Sequence, residues 1–199
     1  MKSVNLGEYV KEFSERNREN DIYDVYSVTN SSGFIPSDEY FSKEVYSKNV
    51  SNYKIVKNGM LAYNPSRINV GSVACQNKKE IVIVSPLYVV VEPNKKYIDS
   101  KFLSYFLHSS YGIQQIRSLT SGSVRDSLKY SAFEKIKMNL PSLEEQNKII
   151  KNLDKLNEII ALRKEQLKKL DEFVKSLFSL QWNKIENLST ISKKFEVVL

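Results

Sequence analysis

At 199 residues, with a net charge of +7, the chain has room for one globular domain and an extension, and its single cysteine, Cys75, excludes an intrachain disulfide framework. Apolar residues at 41% and aromatics at 11%, twelve of them Tyr, support a packed core and exclude wholesale disorder. The opening MKSVNLGEYVKEF lacks the apolar segment of a secretory signal and no run reaches the roughly eighteen apolar residues of a membrane span, so the expected location is the reducing cytoplasm.

Charge is unevenly placed. Residues 1–141 carry 19 basic against 14 acidic side chains, and the remainder 11 against 9. From Val45 to Lys79 there are six cations (Lys48, Lys54, Lys57, Arg67, Lys78 and Lys79) and no acid, with Tyr46, Tyr53 and Tyr63 between them. Such a tract is either a solvated basic surface or a face for a polyanion.

In chain order, Asn5–Phe13 reads as a short opening element, followed by the charged connector SERNREND. Val25–Thr29 is strand-like and ends at the turn Asn30-Ser31-Ser32-Gly33. Pro36–Lys57 is polar, basic and tyrosine-rich; Lys43 lies here with Lys48, Lys54 and Lys57. Gly59–Tyr63 then enters a distinctive loop, Tyr63-Asn64-Pro65-Ser66-Arg67-Ile68-Asn69-Val70-Gly71. Strands are expected at Ser72–Cys75 and Ile81–Val84, joined by the polar turn Gln76–Lys79, and at Tyr88–Val91. Their continuous Val/Ile character suggests burial on both faces. Asp99 is placed to cap a helix that carries Phe102, Leu103, Phe106 and Leu107 and runs on to Ile116. A second loop holds Ser121, Ser123 and Arg125. A helical turn near Ala132–Lys135 and a strand at Ile136–Leu140 complete a domain over residues 1–141.

Residues 142–182 read as one long helix with no Gly or Pro, opened by Pro141 and a Ser142/Glu145 capping box. Ile149, Leu153, Leu156, Ile160, Arg163, Leu167, Leu170, Val174 and Leu177 alternate steps of four and three, which keeps one seam on one side; only Arg163 is not apolar. Ile150, Ile159, Phe173 and Phe178 widen that face. At 1.5 Å per residue the rod is roughly 60 Å long and needs a second helix along it. The chain offers no other long helix, so the partner is expected from another copy or another subunit. The tail, residues 183–199, repeats the start: NLSTISKKF (187–195) matches NLGEYVKEF (5–13) at Asn, Leu, Lys and Phe.

Catalytic equipment is sparse. His108 is the only histidine, and its setting, FLSYFLHSSYG, suits a structural role. Cys75 falls in a strand and is expected to be inert. There is no phosphate-binding P-loop and no dinucleotide fingerprint, and no metal site is expected.

Five stretches, in this order, carry a resemblance: GMLAYNPSRINVGSVA (59–74), SPLYVVVEP (85–93), FLSYFLHSS (102–110), SGSVRDSLKY (121–130) and NLPSLEEQNKIIKNLDKLNEII (139–160). Together they resemble the DNA-specificity subunit of type I restriction–modification systems. The resemblance implies an α+β target-recognition domain, with a mixed sheet and short helices, followed by a long coiled-coil helix. It implies a non-catalytic chain that binds no cofactor itself. It also implies docking to methyltransferase subunits, which use S-adenosylmethionine, and to a restriction subunit. Family members carry two such domains with paired antiparallel helices. This chain has one of each and resembles a half-subunit, which a homodimer would complete on double-stranded DNA with an inverted-repeat target. On this reading the DNA-binding candidates are Lys43, Lys48, Lys54, Lys57, Tyr63, Asn64, Ser66, Arg67, Asn69, Lys78, Ser121, Ser123 and Arg125, and the helix seam is the dimer or partner interface. Motifs shared by members that read different sequences fit loop-shaping or phosphate contact better than base readout, which points to residues 36–58 for the latter. Two other readings stay open: a coiled-coil scaffold with an incidental basic face, and a silent truncated specificity fragment.

Overall fold

The computed structural model describes residues 3–19, 23–40, 49–120 and 127–196, with Tyr40 and residues 186–196 described by backbone alone. It divides into two compact units, Met1–Ile150 and Lys151–Leu199.

Unit 1 begins with β1 (Ser3–Asn5), which pairs antiparallel with β10 (Lys137–Asn139), Val4 opposite Met138. After a 3-10 turn at Leu6–Glu8 comes β2 (Val10–Phe13), an edge of a four-stranded antiparallel sheet ordered β2-β9-β6-β7. Its other strands are β6 (Leu61–Tyr63), β7 (Val73–Cys75) and β9 (Val89–Pro93). β3 (Tyr26–Thr29) and β4 (Gly33–Pro36) form a hairpin whose turn places Gly33 at φ 64°, a left-handed backbone that glycine adopts without strain. The four residues after β4, Ser37–Tyr40, form the short helix α1. β5 (Lys54–Lys57) pairs with β8 (Ile81–Val84), Val56 opposite Val82. The named strand pairs are antiparallel, and one parallel bridge joins Val25 to Ile83.

The Val-rich strands are buried on both faces because two cores flank them. Leu61 and Tyr63 of β6, with Val89 and Val91 of β9, pack into a core with Ile68, Leu103, Leu107, Ile116, Phe133 and Ile150. The alternate residues, Ala62 and Val90, face a second core with Val28, Phe34, Val56, Met60, Val82 and Val84. The apolar runs therefore have the meaning that their sequence suggests. The expected turn between Cys75 and Ile81 does not close a hairpin, however: β7 pairs with β6 and β8 with β5.

Asp99 caps α2 (Ser100–His108), its Oδ1 accepting from the amides of Lys101 at 2.7 Å and Phe102 at 3.2 Å. The single helix expected to run to Ile116 is two, because the chain turns at Ser109 before α3 (Ser110–Thr120). The Ser109 hydroxyl donates to the Phe106 carbonyl and accepts from the Gly112 amide, ending one helix and starting the next. α4 (Tyr130–Phe133) follows.

α5 spans Leu143–Glu196, opened by the Ser142/Glu145 box: the Glu145 amide donates to the Ser142 hydroxyl and the Ser142 amide to the Glu145 carboxylate. The helix does not stop at Trp182, since no Gly or Pro interrupts residues 183–196. The tail expected to reopen a second repeat is helical there instead. The first turns of α5 belong to unit 1 through Gln146, which is fully buried. Its amide nitrogen donates to the carbonyls of Tyr97 (2.8 Å) and Pro141 (2.9 Å), and its oxygen accepts from the Asp99 amide (2.8 Å). Every polar atom of this buried amide group is used.

In unit 2, Leu156, Ile160, Leu167, Leu170, Val174 and Leu177 are exposed, each by 45% or more. Leu153 is half-buried and Arg163 is exposed. Ile149, in the unit 1 part of the helix, is 38% exposed. No helix among the described residues is long and apolar enough to cross a membrane.

Candidate nucleic-acid interface

The loop leaving β6 holds its own backbone together. The Asn64 carboxamide oxygen accepts from the Ser66 amide at 3.0 Å, an Asx turn. The Arg67 amide donates to the Asn64 carbonyl, and the Arg67 carbonyl accepts from Val70 and Ser72, both at 3.1 Å. The Asn64 amide donates to the Ser72 carbonyl, closing the loop at its neck. A 3-10 turn at Ile68–Val70 buries Ile68 and ends at Gly71, whose φ of 95° suits glycine. The loop is also tied outward. The Ser72 hydroxyl donates to the Val28 carbonyl (2.7 Å), and the Leu128 amide donates to the Pro65 carbonyl (3.0 Å). His108, the last residue of α2, links that helix to the loop, its Nδ1 2.8 Å from the Ser104 carbonyl and its Nε2 3.1 Å from the Gly71 carbonyl.

This frame makes one wall of a cleft of ≈ 510 Å³, lined by Asn64, Arg67, Val70 and Ser72 on one side and by Ser27, Val28, Thr29, Asn30 and Tyr88 on the other. No acid is among them. Arg67 is exposed, and its guanidinium has no hydrogen-bond or ion-pair partner among the described residues. Asn69, half-buried, and Ser66, exposed, lie on the same loop. Among the described residues this guanidinium stands beside carboxamides and hydroxyls with no carboxylate in contact, and a guanidinium so placed offers a planar donor fork to an anion or to the edge of a guanine.

Tyr63 is a correction. Its side chain is fully buried, stacked on Phe133 with ring centroids 4.9 Å apart and planes 15° apart, so it builds the core beneath the loop and cannot reach a bound molecule. Burial pushes its phenol far above the ordinary range, and its hydroxyl has no hydrogen-bond partner among the described residues. Tyr63→Phe is therefore expected to hold or raise the melting temperature, since it removes an unpaired buried hydroxyl worth about 1–3 kcal/mol of desolvation. A calorimetric loss of several degrees would contradict this.

The basic tract is partly spent within the fold. Lys54, whose ammonium burial holds below its usual pKa, donates to the Tyr88 carbonyl at 2.7 Å. Lys57 pairs with Glu15 at 3.2 Å and sits over the Phe13 ring, 5.0 Å from its centroid. Lys79 pairs with Asp24. Lys78, in contrast, is exposed, and its ammonium has no partner among the described residues. Lys43, Lys48, Ser121, Ser123 and Arg125 lie outside the described residues. Sequence reasoning missed Ser72, at the foot of the loop, and Ser27, Thr29, Asn30 and Tyr88, which reach the cleft from other parts of the chain and carry no motif signal of their own.

Cys75 is half-buried, and burial raises its thiol pKa to about 11, in keeping with an inert residue. Among the described residues no cluster of His, Cys, Asp and Glu could hold a metal.

Comparison with solved structures places this fold beside known ones. The HsdS subunit from Thermoanaerobacter tengcongensis superposes with a TM-score of 0.60 at 19% identity, covering 80% of this chain and 43% of that one. A chain from a structure of the type I R-M system, reported for its complex assembly and conformational transition, gives 0.62 at 17% identity, covering 84% and 46%. Curated sequences agree. The MjaVIII type I restriction enzyme specificity subunit of Methanocaldococcus jannaschii is 32% identical over 95 residues, 46% of this chain and 22% of its own length. The StySPI specificity subunit of Salmonella potsdam is 30% identical over 81 residues, 41% and 18%. The alignments thus span about a fifth of the curated relatives and under half of the solved chains. Residues 4–172 match the type I restriction modification DNA specificity domain, and the chain belongs to that family.

Proposed function

We propose that this chain is a DNA-recognition component of a type I restriction–modification complex, in which unit 1 reads one half of a bipartite duplex target. The observation that carries the reading is Arg67, which has no partner among the described residues, on a self-braced loop beside a cleft whose described lining holds no acid, in a chain of this family. The seam of α5 pairs with the same helix of a second copy, so that two recognition units act on one inverted-repeat site. The dimer docks methyltransferase subunits, whose S-adenosylmethionine supplies the methyl group, and a restriction subunit. The chain itself contributes contact and register, and binds no cofactor.

Two experiments test this. Co-expression with the cognate methyltransferase subunit, followed by mapping of N6-methyladenine, is expected to give a split palindromic motif. A split asymmetric motif would replace the homodimer with pairing to a different specificity chain, and absence of new methylation would count against the reading. Binding of duplex DNA is expected to weaken with salt at a log–log slope of about −4 or steeper, the signature of five or more phosphate contacts. Arg67→Ala is expected to weaken binding about tenfold or more. If the loss is uniform across sequences and the slope falls by about one, Arg67 holds a phosphate; if preference relaxes at one base pair, it reads that base. An unchanged affinity would remove Arg67 from the interface.

A further inference from the structure

The cleft beside the 63–71 loop holds one side chain that belongs neither to its polar lining nor to the core. Val70 is 58% exposed, and among the described residues of unit 1 it is the one large, exposed apolar side chain that lines the cleft. Ile68, on the same 3-10 turn, is fully buried with Leu103 and Leu107 and anchors the turn. Val70 braces the loop through its main chain instead, its amide donating to the Arg67 carbonyl at 3.1 Å. A single exposed valine is ordinary on a protein surface. This one is set apart by what stands beside it.

Residues three apart along a 3-10 turn come round to the same side, and Arg67 and Val70 both line the cleft. The hydrogen bond between their main chains fixes their spacing. They are complementary in kind. Arg67 offers a donor fork with no partner among the described residues, and Val70 a branched aliphatic group that is stiff at χ1. The major groove of duplex DNA presents the matching pair of features. Guanine offers the O6 and N7 acceptors that a guanidinium spans, and thymine carries a C5-methyl. Valine has no donor for a phosphate or for an acceptor edge, so a cleft that served phosphate alone would leave it without a use.

We propose that Val70 is a specificity-determining residue, packing on the C5-methyl of a thymine in the base pair next to the guanine that Arg67 engages. This rests on the DNA-recognition reading above and deepens it, since Arg67 and Val70 together read two successive base pairs in the major groove. Cytosine at the thymine position is rejected twice over: it lacks the methyl, and its N4 amino group meets an aliphatic side chain and loses its hydrogen bond to water.

The test uses the full chain and a duplex site selected by it from a randomised pool. Each thymine of that site is replaced in turn by deoxyuridine, which removes the C5-methyl and leaves base pairing intact. One replacement is expected to weaken binding about fourfold, the effect of losing one buried methyl-sized group, and the others to leave it unchanged. Val70→Ala is expected to bind the thymine duplex as weakly as the parent binds the deoxyuridine one, and to be indifferent to that replacement. Its melting temperature should be unchanged, because the side chain is exposed. Arg67→Ala is expected to relax preference at the adjoining base pair. If the deoxyuridine loss persists in full in Val70→Ala, another residue reads the methyl and the proposal is overturned. It is equally overturned if binding depends on salt but no thymine matters, or if Arg67→Ala weakens all sequences uniformly; DNA recognition then still stands. Absence of salt-dependent duplex binding would bring down the DNA-recognition reading and this proposal with it.

Discussion

Gly112→Ala is expected to lower the melting temperature of unit 1 by roughly 10 °C. An ideal Cβ on residue 112 would lie 2.2 Å from the Phe106 carbonyl oxygen and 3.0 Å from the Leu107 Cα, contacts with main-chain atoms that no side-chain rotation relieves. The oxygen it would strike also accepts the Ser109 amide and hydroxyl, so a shift large enough to relieve the clash breaks the bonds that turn α2 into α3. Overpacking of this kind costs about 3 kcal/mol or more, and for a unit of this size each kcal/mol lowers the midpoint by about 2–4 °C. Ser118→Ala, exposed on α3, serves as the control and is expected to stay within a degree or two. A midpoint unchanged in Gly112→Ala by scanning calorimetry would mean that the corner relaxes freely.

The combined change Leu156→Asp with Leu170→Asp is expected to convert a dimer into a monomer without unfolding unit 1. Both side chains are more than half exposed in the single chain, so the substitutions leave its core intact. In the pair, four carboxylates would enter apolar layers. At about 2 kcal/mol each, a modest figure for a buried unpaired group, the dissociation constant rises by five to six decades. Light scattering at micromolar concentration reads the change directly. On the proposed function, in which two recognition units act on one split site, the N6-methyladenine pattern should vanish with it. A monomer that still directs methylation to that site would separate recognition from dimerisation.

The parts of the fold that could be read from the chain are those in which local pattern and environment coincide. The helix seam depends on spacing alone, and the Val/Ile strands on the requirement that a doubly buried strand be apolar throughout. β4 and β5 escaped notice for the opposite reason. Each is four residues long, and β5 reads Lys-Ile-Val-Lys, with two buried residues between cations inside a tract whose dominant signal is charge. Helix termination was misjudged twice. Nothing apolar breaks at Ser109, where a hydroxyl hydrogen bond turns the chain, and residues 183–196 offer no stop although their likeness to residues 5–13 suggested one. Of the loop residues singled out in the sequence, Asn64 and Arg67 line the cleft, whereas Ser66 and Asn69 share the loop without lining it. The facing wall was not legible, since Ser27 and Tyr88 join Arg67 in lining the cleft from stretches distant in the chain. Tyr63 was misplaced because membership of a motif does not distinguish a residue that shapes a loop from one that touches what the loop binds.

The 63–71 loop has a consequence for how such a chain changes over generations. The bonds that brace it are made chiefly by main-chain amides and carbonyls, with the side chains of Asn64, Ser72 and His108 as the exceptions. Arg67 holds the loop with its amide and carbonyl and faces the cleft with its guanidinium. Residue 67 can therefore be exchanged while every brace persists. On the proposed function, mutation at that position is close to neutral for folding and visible to selection on what is bound, so preference can drift or jump between lineages without first crossing a valley of unfolded intermediates.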